Sequence, residues 1–493
     1  MAPCGRGQNR TAGRRPDVTI RSLDADAVAD ALRRTDLPDD VRRVLEIRAA
    51  AGSASVKKLY ALENQTCRDD RVRDLIKHHG ARTGRPTGGS VQPLNLPKAG
   101  PKLATCDTCA KPYAPKHPVC PWCGAPAHPA PRLAWKPEMV DHVLEVMSTR
   151  SLDAVEWFFV DALLSISGCI RGLFVAGPGK SLIASDYSAI EAVVAACMAG
   201  EQWRIDTFVA QRDIYLEGAS RISGIPYETY AAYKVEHGYD HPDRQDLGKI
   251  SELAFSYGGW IGAWRAFDPK EAEKTDEQLI GYVKRWRAAS PRIVAMWGGQ
   301  QVNWQPELFG IEGAMIEAIR TPGRVTVPRL PSTMFGQPEF PVRLEFVVRE
   351  FGNTGRPALF MKLPSGRLLT YHEPRLSDSG RQWAPVRITF KTENTNPKYG
   401  PIGWVEMDTY GSRAFENADQ AVAHDIQRHG IELCRAAGYD MVLGVYDEDV
   451  FEVPEGFGSV EEVERLMGTM PSWAAGWPIR AAGGYRSARY RKA

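Results

Sequence analysis

The spacing of apolar residues divides this chain into helical and extended stretches. Helical periodicity predicts helices over Ala25–Arg34 and Asp39–Ala51, with a third segment starting at Ser55–Tyr60 (SVKKLY). Residues 79–98 are rich in Gly and Pro and predict no regular element. Leu182–Ala184 reads as a buried strand that ends on Asp186 and turns into a helix at Ser188. In that helix Ile190, Val193, Val194, Cys197 and Met198 form one apolar stripe facing a core. Residues 323–400 alternate Val, Phe and Leu with turn glycines, as in Leu363–Arg367, and predict a β-rich segment. Met441–Val445 returning as Asp449–Val453 predicts a tight hairpin with carboxylates at its tip.

Composition adds bounds. The chain has 493 residues, enough for two to four cores at about 150 residues each. Hydrophobic content of 43% and charged content of 25% are those of an ordinary globular protein. No apolar run approaches the ~18 residues of a membrane span, and the basic N-terminal stretch (1–23) lacks a secretory apolar core and reads as a disordered lead-in. Net charge is only +2, so basic residues matter by placement. Residues 466–493 carry Arg480, Arg486, Arg489, Arg491 and Lys492 without an acid, and Lys77–Arg85 is similarly basic. Each reads either as a solvated stretch or as a phosphate contact.

Four of the nine cysteines, Cys106, Cys109, Cys120 and Cys123, follow the pattern C-x2-C-x10-C-x2-C. Paired knuckles of this spacing suit one tetrahedral Zn²⁺ bound by four thiolates. Two disulfides or a redox pair are the alternatives, but neither a secretion signal nor a thioredoxin-like pattern accompanies them. Cys4, Cys67, Cys169, Cys197 and Cys434 are scattered and read as inert.

Asp186 and Asp447 are far apart in sequence, yet each sits at the end of a strand. Two such carboxylates can meet at one sheet edge and hold two divalent metals about 3.5–4 Å apart. The stretch Asp186–Glu191 (DYSAIE) resembles motif A of family A, DNA polymerase I-like polymerases. Tyr446-Asp447-Glu448 resembles their motif C, and Arg244–Gly258 (RQDLGKISELAFSYG) resembles motif B, the nucleotide-binding helix. The likeness covers roughly residues 40–493, with the tailed-phage subgroup as its nearest variant. It implies an α+β right-hand fold of thumb, antiparallel-sheet palm and helical fingers, carrying a zinc-ribbon insertion and a β-rich insertion.

The resemblance also implies roles. Asp186, Asp447 and Glu448 would be catalytic, with two Mg²⁺ held by Asp186, Asp447 and the Tyr187 carbonyl. Tyr187, Glu191, Arg244, Lys249, Leu253 and Tyr257 would meet the dNTP. Lys249, Leu253 and Tyr257 lie four apart on one helix face. Leu253 stands where the family usually has an aromatic. Arg244 lies five residues before Lys249, about 140° off its face in a regular helix, and can serve only if that first turn is irregular or its side chain wraps around. Glu191 has two readings: with Ser188 it completes a capping box, and in the family it gates against a ribose 2′-hydroxyl. Ala189 replaces a glutamine that reads the minor groove.

For primer–template DNA the expected contacts are Lys57 and Lys58, Arg82, Arg85 and Asn95 in a Thr-Gly-Arg … Asn-Leu-Pro segment, and Arg413, Asn417 and Gln420 on a helix over Thr409–Asp425. The expected organisation is thumb 24–78, primer–template segment 79–100, zinc insertion 101–131, palm 132–241, fingers 242–322 (nearly all helical), β-rich insertion 323–400, and palm with a basic tail 401–493. The implied protein is a monomer acting in a bacterial host's cytoplasm, with no membrane contact. Only about 23 residues precede the first helix, against roughly 50 for the smallest domain, so a polymerase module without its own 3′–5′ exonuclease is expected. A separately encoded exonuclease or processivity factor would then be a partner. The competing readings are a single-subunit RNA polymerase, a reverse transcriptase, or a zinc-bearing DNA-binding protein that has lost activity. Glu191 and the length disfavour the first, motif B the second, and the retained Asp186, Asp447, Lys249 and Tyr257 the third.

Overall fold

The computed structural model describes residues 23, 25–51, 54–89, 91–97, 100–268, 274–298, 309–330, 339–380, 384–395, 397 and 400–491. The expected lead-in (apart from Leu23), Cys4 and Lys492 lie outside the described residues. The chain divides into two compact units, neither contiguous in sequence. One takes the described residues within 1–75, 90–175 and 489–493; the other takes 76–89 and 176–488.

In the first unit the helices Ala25–Leu32, Asp39–Ala51 and Ala54–Gln65 form as the periodicity predicts. Val28, Ala31, Leu37 and Leu45 pack into a small core between the first two. A second core joins Leu103 to Val140, Val143, Val146, Val155 and Phe159. The cysteine knuckles have their own cluster around Ala104, Cys106, Tyr113 and Cys120.

The second unit is built on a four-stranded antiparallel sheet. Its order is Asp440–Val445, Glu448–Pro454, Lys180–Tyr187, Ala481–Ser487. The 26-residue helix Gly411–Ala436 buries Ala414, Phe415, Ala418, Ala421, Val422 and Ile426. Those positions recur at helical spacing and form one apolar face against the main core. At Gly430 that helix passes the Tyr187 hydroxyl so closely that a Cβ would stand 2.3 Å from it, so the position needs glycine. Residues 244–320 are helical in six segments of described chain.

The β-rich segment is a five-stranded antiparallel meander from Glu345 to Thr409. It extends past the expected boundary at 400, because Gly403–Thr409 pairs along its full length with Val386–Asn394. The following helix accordingly begins at Gly411 rather than Thr409.

Candidate active site

Strand register brings the separated acids together. Asp186 lies directly opposite Glu448, and the next backbone N–H, of Tyr187, donates to the Asp447 carbonyl at 3.1 Å. Tyr446 turns the hairpin with a left-handed φ of 59°. Asp449 is fully buried beside them, and its carboxyl is pushed well above the usual range by burial and by the charges of Asp447, Asp186 and Glu448. Gln427, on the long helix, donates to Asp449 Oδ1 and to the Tyr446 carbonyl, both at 2.9 Å. One amide thereby anchors the tip and the base of the acidic turn. The Tyr187 ring is buried and its hydroxyl donates to the Met467 carbonyl at 3.0 Å.

Asp186, Asp447, Glu448 and Asp449 offer only oxygen donors, and Asp449 Oδ2 is buried with no hydrogen-bond partner. A group of acids that repel one another in a poorly hydrated place fits a divalent cation.

Glu191 is oriented differently from the capping box expected with Ser188. Ala189 adopts a left-handed φ of 49°, the helix begins at Ile190, and no side chain caps it. The Ser188 N–H donates to the Arg480 carbonyl instead. Glu191 pairs with Arg85 at 2.5 Å, and the Arg85 guanidinium lies over the Tyr446 ring. Tyr257 donates to Asp419, a fully buried acid. Burial, with Glu191 nearby, pushes the Asp419 carboxyl well up.

Arg244–Lys249 is a π-helical turn leading into the helix Ile250–Phe255. A π turn closes i→i+5 bonds, so residues five apart come much closer to one line than in an α-helix. The irregular first turn that Arg244 requires is therefore present. Gly248 lets this turn pack closely on the helix Ile214–Ser223, since a Cβ there would meet the Tyr215 carbonyl at 1.9 Å. Asp213 caps the helix Ile214–Ser223 and also accepts from Arg244 Nε at 2.6 Å. Lys249 and Tyr257 are half-buried and Leu253 exposed, so the face they share is the open one, while Ile250, Ser251, Ala254 and Phe255 are buried.

The expected DNA contacts are in varied surroundings. Arg82 donates to Thr392 at 2.7 Å and stacks on Phe390 of the meander. Arg413 donates to the Asp408 carbonyl, Asn417 to the Tyr371 hydroxyl and Gln420 to Glu416. Lys57 and Asn95 are exposed in the other unit. Lys58 corrects the expectation: it is buried, with Nζ donating to the Val91 and Gln92 carbonyls at 2.8 and 3.0 Å. A charge in that position serves the fold. The basic tail behaves likewise. Arg486 donates to the Phe457 and Gly458 carbonyls, Arg489 pairs with Asp141, and Arg491 pairs with Glu138.

Cys106, Cys109, Cys120 and Cys123 converge with all sulfurs within 4.8 Å of one another and no disulfide between them. The Cys106–Cys123 and Cys109–Cys120 separations are 3.7 Å. A tetrahedron with Zn–S near 2.3 Å requires S···S of about 3.8 Å. The two knuckles repeat one backbone design. Ala110 and Gly124, each following the second Cys of its pair, have φ of 57° and 75° and donate to the carbonyls of Cys106 and Cys120. The cluster fits a structural zinc.

Comparison with known proteins gives the fold its place. No family model matches the chain. It is 30% identical over 467 residues to a DNA polymerase of Bacillus phage SP02, covering 94% of this chain and 60% of that protein. It superimposes on the POL domain of Pol1 from M. smegmatis, a complex with DNA primer-template and dNTP, with a TM-score of 0.50 and 15% identity over 95% of this chain and 56% of that one. The chain shares the fold of that POL domain. It spans about 60% of the phage relative's length.

Within this polymerase fold, sequence reasoning missed Asp419 and Gln427 as partners of the site. Asp419 carries no local signal, because only tertiary packing makes it a neighbour of Tyr257. Gln427 lies two residues past the helix expected over Thr409–Asp425, and only the longer helix Gly411–Ala436 buries it. Among the described residues no helix is long and apolar enough to cross a membrane.

Proposed function

We propose that this protein is a template-directed DNA polymerase that extends a primer 3′-hydroxyl with dNTPs. The observation that carries the reading is the pairing of the Asp186 strand end with the Asp447–Glu448 turn. Asp186, Asp447 and the Tyr187 carbonyl would hold two Mg²⁺, with Glu448 and Asp449 behind them. When bound, the ions lower the pKa of the attacking hydroxyl and neutralise the phosphates.

The chain's own residues do the rest. Lys249 and Arg244 supply cationic heads for the triphosphate from one π-wound turn, with Asp213 holding the arginine in place. Tyr257, tied to Asp419, and Leu253 offer the surface on which base and sugar rest. Glu191, fixed by Arg85, excludes a 2′-hydroxyl. Arg82, Arg85, Arg413, Asn417 and Gln420 contact the primer–template, and Lys57 and Asn95 are further DNA contacts. Lys58 is left out because its ammonium is committed to backbone carbonyls.

Primer extension tests this directly. The purified chain with Mg²⁺ is offered dNTPs or NTPs on DNA and on RNA templates. Extension confined to dNTPs on DNA is expected. Extension with NTPs would favour an RNA polymerase, and equal use of an RNA template a reverse transcriptase.

A further inference from the structure

A second cluster of metal-binding side chains lies away from the cysteines. His78, His79 and His424 bring one ring nitrogen each to within 4.8 Å of the others. The His78 and His79 rings are 4.3 Å apart, and that of His424 lies 5.9 Å from His79 and 6.3 Å from His78. His79 has a left-handed φ of 51°, a conformation a non-glycine residue rarely adopts, and its ring faces His424 from that turn.

His424 supplies the decisive detail. It is buried, and its Nε2 has no hydrogen-bond partner. Its Nδ1 lies 3.3 Å from Gln427 Oε1. The Gln427 amide nitrogen already donates to Asp449 and to the Tyr446 carbonyl, so Oε1 is an acceptor and His424 Nδ1 carries the proton. The lone pair is then on Nε2, in a pocket shared with two more imidazoles. An amide carbonyl that fixes the far N–H of a histidine is the arrangement that prepares its other nitrogen for a metal.

The surrounding charge is largely balanced. Of the two guanidiniums nearby, Arg367 is paired with Asp425 at 2.7 Å and donates to the Thr83 and Ala421 carbonyls, and Arg428 is paired with Glu432. A hydrogen-bond network confined to the protein leaves His424 Nε2 without a partner.

We propose that His78, His79 and His424 form a second metal site, taking Zn²⁺ through three imidazole nitrogens with a fourth position open. Three-histidine sets suit Zn²⁺ and its borderline neighbours rather than Mg²⁺, which prefers oxygen. Tetrahedral ligation needs N···N distances of roughly 3.4 Å at Zn–N near 2.1 Å. His78 and His79 are exposed, so their rings can turn inward by the small amount required. Occupancy would reach the acidic hairpin through one side chain, Gln427.

The test uses metal binding and so stands apart from the polymerase reading. The full chain, loaded with zinc at the cysteines and kept in excess Mg²⁺ to occupy the carboxylates, is titrated with Co²⁺. The expected result is one further Co²⁺ per chain with d–d absorption and no thiolate charge-transfer band. H78A/H79A, which alters exposed residues only, should weaken that binding by at least about tenfold while zinc content and circular dichroism stay unchanged. H424Q should do the same. No cobalt uptake beyond the zinc, uptake carrying a thiolate band, or unchanged affinity in H78A/H79A would each overturn the site.

Discussion

Arg85 and Glu191, 106 positions apart in the chain, form an ion pair at 2.5 Å beside the acidic turn. Because this pair, and not a capping box, orients Glu191, its removal should disturb selectivity more than stability. E191A is expected to lower discrimination for dNTPs over NTPs by at least about tenfold, the scale of one lost packing element in a pocket. Its thermal unfolding should cost under about 1 kcal/mol, as for a partly exposed pair. R85A should reproduce part of the selectivity loss. Equal discrimination in wild type and E191A, compared by kcat/KM for each nucleotide, would leave the gate without support.

Substitution of either acid at the strand ends should abolish chemistry. D186A and D447A are each expected to extend a primer at below about one-thousandth of the wild-type rate, the loss of several kcal/mol of charge stabilisation. Primer–template affinity should change little, because the proposed phosphate contacts come from other residues. Gel-shift and single-turnover measurements on the same preparations separate the two effects.

Asp419 makes a pH dependence predictable. Its carboxyl is raised in the folded chain by burial, then by Glu191, so the folded state binds a proton that the unfolded chain has released. Its contribution is therefore fully present below the ordinary carboxylate range near 3.9 and is lost as pH rises through the raised folded value. D419N keeps an acceptor for Tyr257 and removes that titration. It should be more stable than wild type at neutral pH by roughly 1 kcal/mol or more, with the gap closing in acid. Urea unfolding across pH measures it, and a gap independent of pH would refute it.

Loss of zinc should be felt as lost structure. C120S removes a buried ligand from a cluster with a small apolar core around Ala104 and Tyr113. Zinc content should fall from one per chain at the cysteines to none, and stability by at least about 3 kcal/mol. Elemental analysis and a thermal melt check both, and a chelator should mimic the mutant.

What could be read from sequence and what could not divide along a physical line. The strand ending on Asp186 and the hairpin around Asp447 announce themselves because local period and turn chemistry determine both. The four cysteines do so through spacing alone. Ser188 misled, since its pattern is that of a cap, yet Ala189 turns left-handed and the Ser188 N–H finds Arg480. Lys58 misled because a lysine on a short helix normally reaches solvent, and only tertiary packing sets two carbonyls before it. The π turn at Arg244 left a trace, a five-residue gap and a glycine inside a helical pattern, and that trace was legible.

The route of the backbone has a consequence for how the molecule is made. Residues 489–491 rejoin the unit formed by 25–75 and 100–175, where Arg489 bridges to Val175, Arg491 pairs with Glu138, and Tyr490 bonds to Phe174. During synthesis that unit stays incomplete until residues 489–491 have left the ribosome. Neither unit can then be obtained by cutting the gene once, and a circular permutant or a split pair would have to respect four crossings of the chain.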